Sequence, residues 1–515
     1  MNPPAARLTG LALALTAIAL ACGTFMQVLD TTIANVSLPT IAGHLGVSTE
    51  DSTWVVTAFA AANGISVPLT GWLMGRFGVV KTFVVSVVLF TVASALCGLA
   101  WDLPSLVVFR LIQGGVSGPI IPGSQALLIM IFPPQRRGFA LSIWSITTLV
   151  APIVGPILGG YISDNAYWGL IFLINVPVGL ACALGAWLPM RKRETPTRKL
   201  PVDVVGLSLL AVWVGCFQCV LDLGKNADWF NSPTIVVLAA CAAVGFVAWL
   251  IWELTETHPI VDLSLFLRRN FTLGVSTLSL GFAMFFAANL LQPLWLQQQL
   301  AYTATWAGLV PVASGVVAII LTPFTARLLT RFDARVLASF AFVAFATAYF
   351  MRSGFTTDAD FFHLAAPQAV QGVALSLFFL TCLAISLDGI PPERIPAATG
   401  LSNFVRITMS SFAASLVTTI WDRRESLHQA QLVESATAFS PAYQQTLRGL
   451  QGAGLNAAQS AGVVARQISG QAYLLSTTEI FWACGWISLA LIGLLWAARR
   501  PGAQPAPPRP PAAAE

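Results

Sequence analysis

Asp30 and Arg110 are charged residues that lie within long apolar stretches of the chain. The segment from Leu8 to Met26 contains no charged residue, and Asp30 follows it on the same predicted helix. Arg110 lies inside another apolar run, in the sequence FRLIQGG. A charge at membrane depth costs about 2.5–3.5 kcal/mol on an insertion scale, so such residues usually face a partner or a water-filled cavity. The placement favours Asp30 as a protonation site in a transport pathway. It also predicts that Arg110 needs a hydrogen-bond acceptor within a helix bundle.

Both residues also have a simpler interpretation. Asp30 could lie near the membrane interface and be solvated there, and Arg110 could extend its guanidinium to the interface from the end of its helix. If the two side chains are instead close together, the guanidinium favours the anionic form of Asp30 and desolvation favours its neutral form. Proton and substrate occupancy could then compete through this balance.

The composition predicts an all-α polytopic membrane protein. The 515 residues are 56% hydrophobic and 10% charged, with a mean hydropathy of +0.76, which is too apolar for an ordinary soluble protein. Apolar runs of membrane-spanning length recur along the chain. We predict 14 transmembrane helices, at residues 9–38, 52–75, 82–101, 104–131, 137–162, 167–190, 203–222, 233–253, 270–296, 303–329, 334–352, 361–388, 396–420 and 477–498.

The basic residues predict the orientation, because loops on the cytoplasmic side carry an excess of Lys and Arg. With alternating sides and a cytoplasmic N-terminus, most of the 27 basic residues fall inside, in short loops, which speaks against a nucleic-acid partner. The outside then holds Lys225, Arg352, Arg423, Arg424, Arg448 and Arg466. The bias predicts that both termini are cytoplasmic.

An internal repeat predicts the domain organisation. The segment GWLMGRFGVVK, residues 71–81, aligns with ARLLTRFDARV, residues 326–336. Further matches pair Asn35 with Asn289, Pro39 with Pro293, and Gln113-Gly114 with Gln371-Gly372. We predict a six-helix half at 1–190, a basic cytoplasmic linker at 191–202, two extra helices at 203–253, a second six-helix half at 254–498, and a disordered cytoplasmic tail at 499–515. The second copy has no acidic match for Asp30, so the charged groups of transport are expected in the first half.

Several motifs, in order and at the right spacing, carry a family resemblance. They are LDTTIANVSLPTIA, GWLMGRFGVVK, RLIQGGVSGPIIPGS, APIVGPILGGYISD and LSNFVR. The chain resembles the 14-helix drug:proton antiporter branch of the major facilitator superfamily over nearly its whole length, and within it the EmrB-type multidrug efflux pumps. The resemblance implies the major facilitator fold, with two six-helix halves plus two extra helices.

The resemblance also implies roles for individual residues. Arg110 belongs to a proton-relay motif with Asp30. Gly71, Arg76 and Gly78 lie in a cytoplasmic loop where Arg76 would latch one conformation by binding a neighbouring helix end. Gly75 replaces the acid usual in this loop, and the alternative is a plain positive-inside anchor. The antiporter motif of helix 5 comprises Pro152, Gly155, Pro156, Gly159 and Gly160, whose prolines would bend the helix and whose glycines permit close helix contact.

Five further residues are candidates for lining a transport cavity: Asn35, Gln113, Trp144, Asp222 and Arg406. For Asp222 and Arg406 a position at the membrane interface is an equal alternative. The sequence contains no nucleotide-binding GxxxxGK[ST] motif, no metal-ligand cluster and no nucleophile–base arrangement, so we predict neither a cofactor nor an enzyme.

The expected function is proton-driven antiport that exports hydrophobic drugs or toxic compounds across the bacterial inner (cytoplasmic) membrane. The resemblance implies a tripartite system with an EmrA-type periplasmic adaptor and an outer-membrane channel. The outside segment 422–471 begins with RRESLHQAQLVES, a pattern typical of a helix that continues beyond the bilayer. The segment is predicted to help dock the adaptor, and the alternative is a flexible loop without a partner. An exporter of one endogenous metabolite or siderophore, and a non-transporting membrane sensor or scaffold, remain alternatives for the whole protein.

Overall fold

The structure is a computed structural model that describes residues 10–133, 136–197, 201–300, 302–357, 359–437 and 439–500. These ranges are mostly helical and contain no strand. The predicted tail from residue 501 onward, and Arg198 and Lys199 of the predicted linker, lie outside the described residues.

The first half of the chain consists of α1 to α10, and a pair of helices follows it. The bounds are α1 Gly10–Leu45, α2 Thr49–Ser52, α3 Trp54–Ser66, α4 Thr70–Phe77, α5 Val79–Gly98, α6 Leu103–Ser117, α7 Ile120–Ile131, α8 Arg137–Asn165, α9 Leu170–Leu173, α10 Asn175–Met190, α11 Val204–Leu223 and α12 Pro233–Thr255.

The second half consists of α13 to α20. The bounds are α13 Arg269–Gln299, α14 Ala304–Leu309, α15 Val312–Leu328, α16 Ala334–Ser353, α17 Phe361–Ser386, α18 Ile395–Ser435, α19 Pro441–Gly452 and α20 Ala457–Trp496. Short 3-10 helices occur at Trp229–Asn231, Leu263–Leu267 and Pro392–Arg394.

The prediction of a 14-helix membrane fold is confirmed. In the described ranges, 13 segments are long and apolar enough to cross a membrane, and α3 with α4, bent by 56° at the break between them, make a fourteenth. Helices satisfy every backbone group internally, which lipid requires because it offers no hydrogen-bond partner. The break after α3 contains Pro68, which lacks the N–H that a continuous helix needs.

The internal repeat is visible in the packing of equivalent glycines. A Cβ on Gly114 of α6 would lie 2.4 Å from the Phe59 carbonyl oxygen of α3. A Cβ on the matching Gly372 of α17 would lie 2.5 Å from the Ser314 carbonyl oxygen of α15. Only glycine allows either approach, so the matched sequence positions make the same helix contact in each half.

The two halves meet where α18 begins, in a contact that we call the inter-half seal. It comprises Gly71 against Ala397, Gly400 against Thr70, and Gln125 with Asn403. A Cβ on Gly71 would lie 2.8 Å from the Ala397 Cα, and one on Gly400 would lie 3.1 Å from the Thr70 Cβ. Asn403 Nδ2 donates a hydrogen bond to Gln125 Oε1 at 3.0 Å. Close backbone approach and a buried amide pair therefore hold the halves together at this end.

The extra pair α11–α12 lies beside both halves. α11 packs against α12, α3 and α18. Ser415 Oγ of α18 donates a hydrogen bond to the Leu221 carbonyl of α11 at 2.8 Å. The Trp213 ring of α11 meets the Phe404 ring edge-on, with centroids 5.9 Å apart.

The last two helices extend beyond their predicted membrane spans, 396–420 and 477–498. The continuation of α18 to Ser435 confirms the helical pattern of RRESLHQAQLVES, whereas the predicted start of the last helix was wrong, because α20 begins at Ala457. The two extensions pack together, since Trp421 Nε1 donates to Thr477 Oγ1 at 2.8 Å and Arg424 pairs with Glu479 at 2.6 Å. The predicted outside segment 422–471 is therefore largely helical. Polar composition marks where a helix leaves an apolar environment and does not mark where the helix ends.

The assignment of Arg352 to an outside loop was also wrong. Arg352 lies in the last turn of α16 and is fully buried. Its Nη2 donates to Gln371 Oε1 at 2.5 Å, and its guanidinium lies over the Tyr349 and Phe481 rings. With Arg406 also buried, the second half contains two buried cations.

Candidate functional site

Asp30 and Arg110 form a buried ion pair. Arg110 Nη1 lies 2.6 Å from Asp30 Oδ2, and both side chains are 0% exposed. The interface alternatives for Asp30 and Arg110 are therefore wrong. Buried ions need a close partner, because their mutual attraction must offset a desolvation penalty of several kcal/mol each.

Two amides complete the environment of the Asp30 carboxylate. Gln113 Nε2 donates to Asp30 Oδ1 at 3.1 Å, and Asn175 Nδ2 donates to the same oxygen at 2.7 Å. Both amides also donate to Ser94 Oγ at 2.9 Å. The carboxylate thus accepts hydrogen bonds from α6 and α10, and Ser94 ties the amides to α5.

The packing of α6 against α3 positions Arg110. Gly114 permits the backbone contact with α3, and Arg110 Nε then donates to the Val55 carbonyl oxygen at 3.1 Å. The guanidinium lies 4.6 Å from the Phe59 ring centroid and 5.0 Å from that of Phe172. Arg110 Nη2 has no hydrogen-bond partner among the described residues. The cation is therefore held by fixed groups, while one of its donors stays unsatisfied.

Two glycines of the predicted antiporter motif make the close contact of α8 with α1. A Cβ on Gly155 would lie 2.0 Å from Thr32 Oγ1, and one on Gly159 would lie 3.2 Å from the Ile33 carbonyl oxygen. These α1 residues come directly after the turn that carries Asp30. The α8 contact therefore sits beside the ion pair.

The remaining residues of that motif are Gly160, Pro152 and Pro156. A Cβ on Gly160 would meet nothing within 4 Å, so the close contact predicted for Gly160 was wrong. Pro152 is exposed, and the Pro156 side chain lies outside the described parts of the chain. The α8 backbone is helical from Arg137 to Asn165, through both prolines.

The candidate cavity residues are dispersed. Gln113 is part of the ion-pair cluster, whereas Asn35 is exposed on α1 and lies outside it. Trp144 is 1% exposed, and its indole N–H has no partner in the described ranges. Asp222 is exposed at the end of α11, where its carboxylate accepts a hydrogen bond from Gln218 at 3.1 Å. Arg406 is 4% exposed and bonds Asn403 of the inter-half seal at 2.7 Å, so its interfacial alternative was wrong.

An acid of the linker, Glu194, packs against the turn between α4 and α5. Glu194 accepts hydrogen bonds from the backbone N–H groups of Val80 at 3.0 Å and Lys81 at 2.8 Å, at the first turn of α5. Gly78 has φ of +93°, and a Cβ there would lie against the Glu194 carboxylate. The guanidinium of Arg76 lies over the Trp72 ring at 5.3 Å. Glu194 thus places a negative charge at the positive N-terminal end of α5.

Sequence reasoning missed Ser94, Asn175 and Glu194. Asn175 is a lone amide in the apolar run LIFLINVPVG, which was a usable signal because a polar side chain in such a run needs a partner. Ser94 gave no signal, since a serine is common in membrane helices and often bonds its own helix. Glu194 lies in a linker classified by its basic residues.

Comparisons with known proteins agree with this architecture. The family model described as Major Facilitator Superfamily matches residues 20–415. The chain is 48% identical to the multidrug export protein EmrB of Escherichia coli strain K12, over 96% of this chain and 97% of that protein. It is 44% identical to the fatty acid resistance protein FarB of Neisseria gonorrhoeae, with the same coverage. Among solved structures, the human organic anion transporter MFSD10 (TETRAN) matches with a TM-score of 0.56 and 11% identity, over 94% of this chain and 99% of that one.

Proposed function

The chain belongs to the major facilitator superfamily as a multi-pass multidrug efflux transporter, and from this premise we propose that it exchanges protons for hydrophobic drugs or toxic compounds. The observation that carries the proposal is the buried Asp30–Arg110 pair, with Asp30 Oδ1 bonded by Gln113 and Asn175. An acid that can gain and lose a proton inside a helix bundle is the part that proton coupling requires.

Protonation of Asp30 is the proposed switch. In its anionic form the carboxylate holds α1 against α6 and α10 through three hydrogen bonds. A proton on Asp30 removes the charge that Arg110 pairs with, while Val55 and Gln113 still hold the guanidinium. The neutral site therefore binds α1 less strongly. A proton gradient can drive this change, because moving one charge yields about 2.3 kcal/mol per 100 mV.

The contact of α1 with α8 is the proposed route from the proton site to the space between the halves. Thr32 and Ile33 lie against Gly155 and Gly159, with too little room for independent movement of the two helices. α8 also packs against α15 of the second half. A shift of α1 on protonation is therefore transmitted to a helix that contacts both halves, as rocking of repeated halves requires.

The position of the inter-half seal determines which side of the transporter is proposed to be closed in the present conformation. The excess of basic residues in the loops on that side supports a cytoplasmic position for the seal at the inner membrane, with both termini in the cytoplasm. The cytoplasmic side is then closed in this conformation. Substrate loads from the cytoplasm or inner leaflet when the seal opens, and protonation of Asp30 from outside favours release.

The extensions of α18 and α20, together with α19, are the proposed docking site for an EmrA-type periplasmic adaptor that leads to an outer-membrane channel. The base of this projection is fixed, because Arg424 pairs with Glu479 and Ser469 Oγ donates to Glu425 Oε1 at 3.2 Å. Phe439, near its tip, is 91% exposed. A rigid base with an exposed aromatic residue suits a protein partner better than a flexible loop does.

A narrower transporter is the second candidate. FarB, a relative 44% identical over nearly the whole chain, is named for resistance to one class of compound, fatty acids. This favours keeping an exporter of a specific endogenous metabolite or siderophore as the alternative. A non-transporting sensor or scaffold is the alternative outside transport.

Substrate-driven proton flux separates these functions. The full-length protein is reconstituted into vesicles with an internal pH dye, and a compound to which it confers resistance in cells is added. Wild-type protein is expected to move protons, and Asp30→Asn to move none. Asp102→Asn is the matched control, because Asp102 is the exposed N-cap of α6 and asparagine also caps helices. Proton flux by Asp30→Asn at the wild-type level overturns the role of Asp30, and the absence of flux in the wild type overturns antiport.

A further inference from the structure

Arg406 is a buried cation without an acidic partner. Its side chain is 4% exposed, and no Asp or Glu in the described ranges lies within ion-pair distance of it. Its Nη2 donates to Asn403 Oδ1 at 2.7 Å, which is its one hydrogen bond to the described residues. An isolated buried charge is unfavourable, and an anionic partner that binds it offsets part of that cost.

Other arginines of the bundle differ from Arg406. Arg110 is neutralised by Asp30, and Arg394 is paired with Asp262 at 2.5 Å. Arg352 also lacks an acid, but its Nε and Nη1 atoms are completely enclosed. The Nε and Nη1 atoms of Arg406 have no acceptor among the described residues and are not enclosed in this way. Arg406 is thus the buried guanidinium that a ligand can reach.

The position of Arg406 is between the halves of the transporter. Thr399, Asn403 and Arg406 are spaced by four and three residues, which places them on one face of α18. Thr399 and Asn403 both bond α7 of the first half, so this face points toward that half. Beyond Arg406, the next turn of α18, residues 407–409, is only half-buried. Arg406 therefore lies at the edge of the inter-half seal, where the packing loosens.

Aromatic rings adjoin the guanidinium. Arg406 lies 4.5 Å from the Phe282 ring centroid, and Phe282 contacts the rings of Phe285 and Phe286 at 5.9 and 6.2 Å. Phe285 is half-buried and Phe286 is 38% exposed, so part of their surface is available to a ligand. A planar guanidinium beside apolar rings can bind a carboxylate in two parallel hydrogen bonds while the rings contact an apolar body.

We propose that Arg406 binds the carboxylate of amphipathic acid substrates, with Phe282, Phe285 and Phe286 contacting their apolar part. The inference rests on the proposed export function and specifies its substrate class. It requires no step of proton transfer. Binding measured without a gradient therefore tests it separately from antiport.

The test compares two ligands of the same shape, 4-biphenylcarboxylate and 4-biphenylcarboxamide. Their affinities are measured at neutral pH by calorimetry, on the full-length protein in zwitterionic lipid nanodiscs, with empty nanodiscs subtracted. The wild type is expected to prefer the acid by about tenfold, as a charge-assisted bidentate contact allows. Arg406→Gln is expected to remove this preference and to leave amide affinity within about twofold, since only the charge interaction is lost.

Two further variants complete the test. Arg406→Lys is expected to keep part of the preference, because it retains the charge but not the planar fork. If Arg406→Gln does not fold, the acid preference of Arg406→Lys is the test. Arg448→Gln, on the exposed face of α19, is expected to keep the full preference for the acid. An unchanged acid preference in both Arg406 variants, equal loss of both ligands, or no preference in the wild type overturns the proposal. None of these variants changes Asp30, so proton flux measured in vesicles tests antiport separately. Failure of this proposal is therefore distinguishable from failure of the proposed antiport function.

Discussion

Removing both members of the Asp30–Arg110 pair should destabilise the protein by less than the sum of the two single removals. Arg110→Met leaves a buried carboxylate with only the Gln113 and Asn175 amides as donors, and Asp30→Asn leaves a buried guanidinium with no acid. Breaking a buried pair in this way typically costs about 3–5 kcal/mol. The double substitution removes both charges and keeps a neutral amide at position 30 for the remaining partners. We expect it to cost less than the sum of the single substitutions by about 2–3 kcal/mol.

The assay is denaturant-induced unfolding of the purified protein in detergent, followed by fluorescence, for the wild type, both single variants and the double variant. The interaction energy is the difference between the double variant and the sum of the singles. A control cycle combines Asp30→Asn with Arg448→Gln, which lies on the exposed α19, and should be additive within about 0.5 kcal/mol. Additivity of the Asp30 and Arg110 substitutions within the same margin would refute the ion pair as an energetic unit.

Three further predictions concern the Asp30–Arg110 pair, the contact of α8 with α1, and the proposed docking segment. Arg110→Lys should abolish most transport in vesicles, because an ammonium cannot bind Asp30, Gln113 and the Val55 carbonyl together; full transport would show that only the charge matters. Gly155→Val should lower stability by about 1–3 kcal/mol and impair transport because its Cβ meets Thr32, whereas Gly160→Val should be tolerated in open space; equal effects in thermal unfolding and transport assays would contradict this account. Replacing residues 436–456 by a Gly/Ser linker should reduce adaptor co-purification and leave substrate binding intact, and unchanged capture would exclude docking at that tip.

The fold was predictable because its main signal is the length of apolar runs. A run of about 20 apolar residues is long enough to span a bilayer as a helix, and recurring runs of this length indicate a membrane protein. The predicted start of α20 was wrong, because the pairing of α20 with α18 through Trp421 and Arg424 continues beyond the apolar segment. Arg352 was misplaced for the opposite reason, because it follows an apolar run directly and hydropathy alone puts such a residue at the interface.

The site was predictable only in part. Asp30 and Arg110 stood out because charges are rare in apolar helices, but their pairing depends on how α1 and α6 pack, which spacing along the chain does not reveal. Gln113 was a candidate from its motif, whereas Ser94 resembles any packing serine. The glycines of α8 look equivalent in sequence, yet Gly155 and Gly159 face α1 and Gly160 faces open space. Which face of a helix meets a neighbour is a tertiary property.

Proton release on substrate binding tests the central claim most directly. Purified protein in weakly buffered detergent solution is mixed with a compound to which it confers resistance, at a series of starting pH values, and the released protons are counted with a pH indicator dye. The account predicts that substrate binding releases protons from the wild type and none from Asp30→Asn, with Asp102→Asn behaving as the wild type. Substrate binding without proton release by the wild type, or undiminished release by Asp30→Asn, would contradict competition between proton and substrate at Asp30.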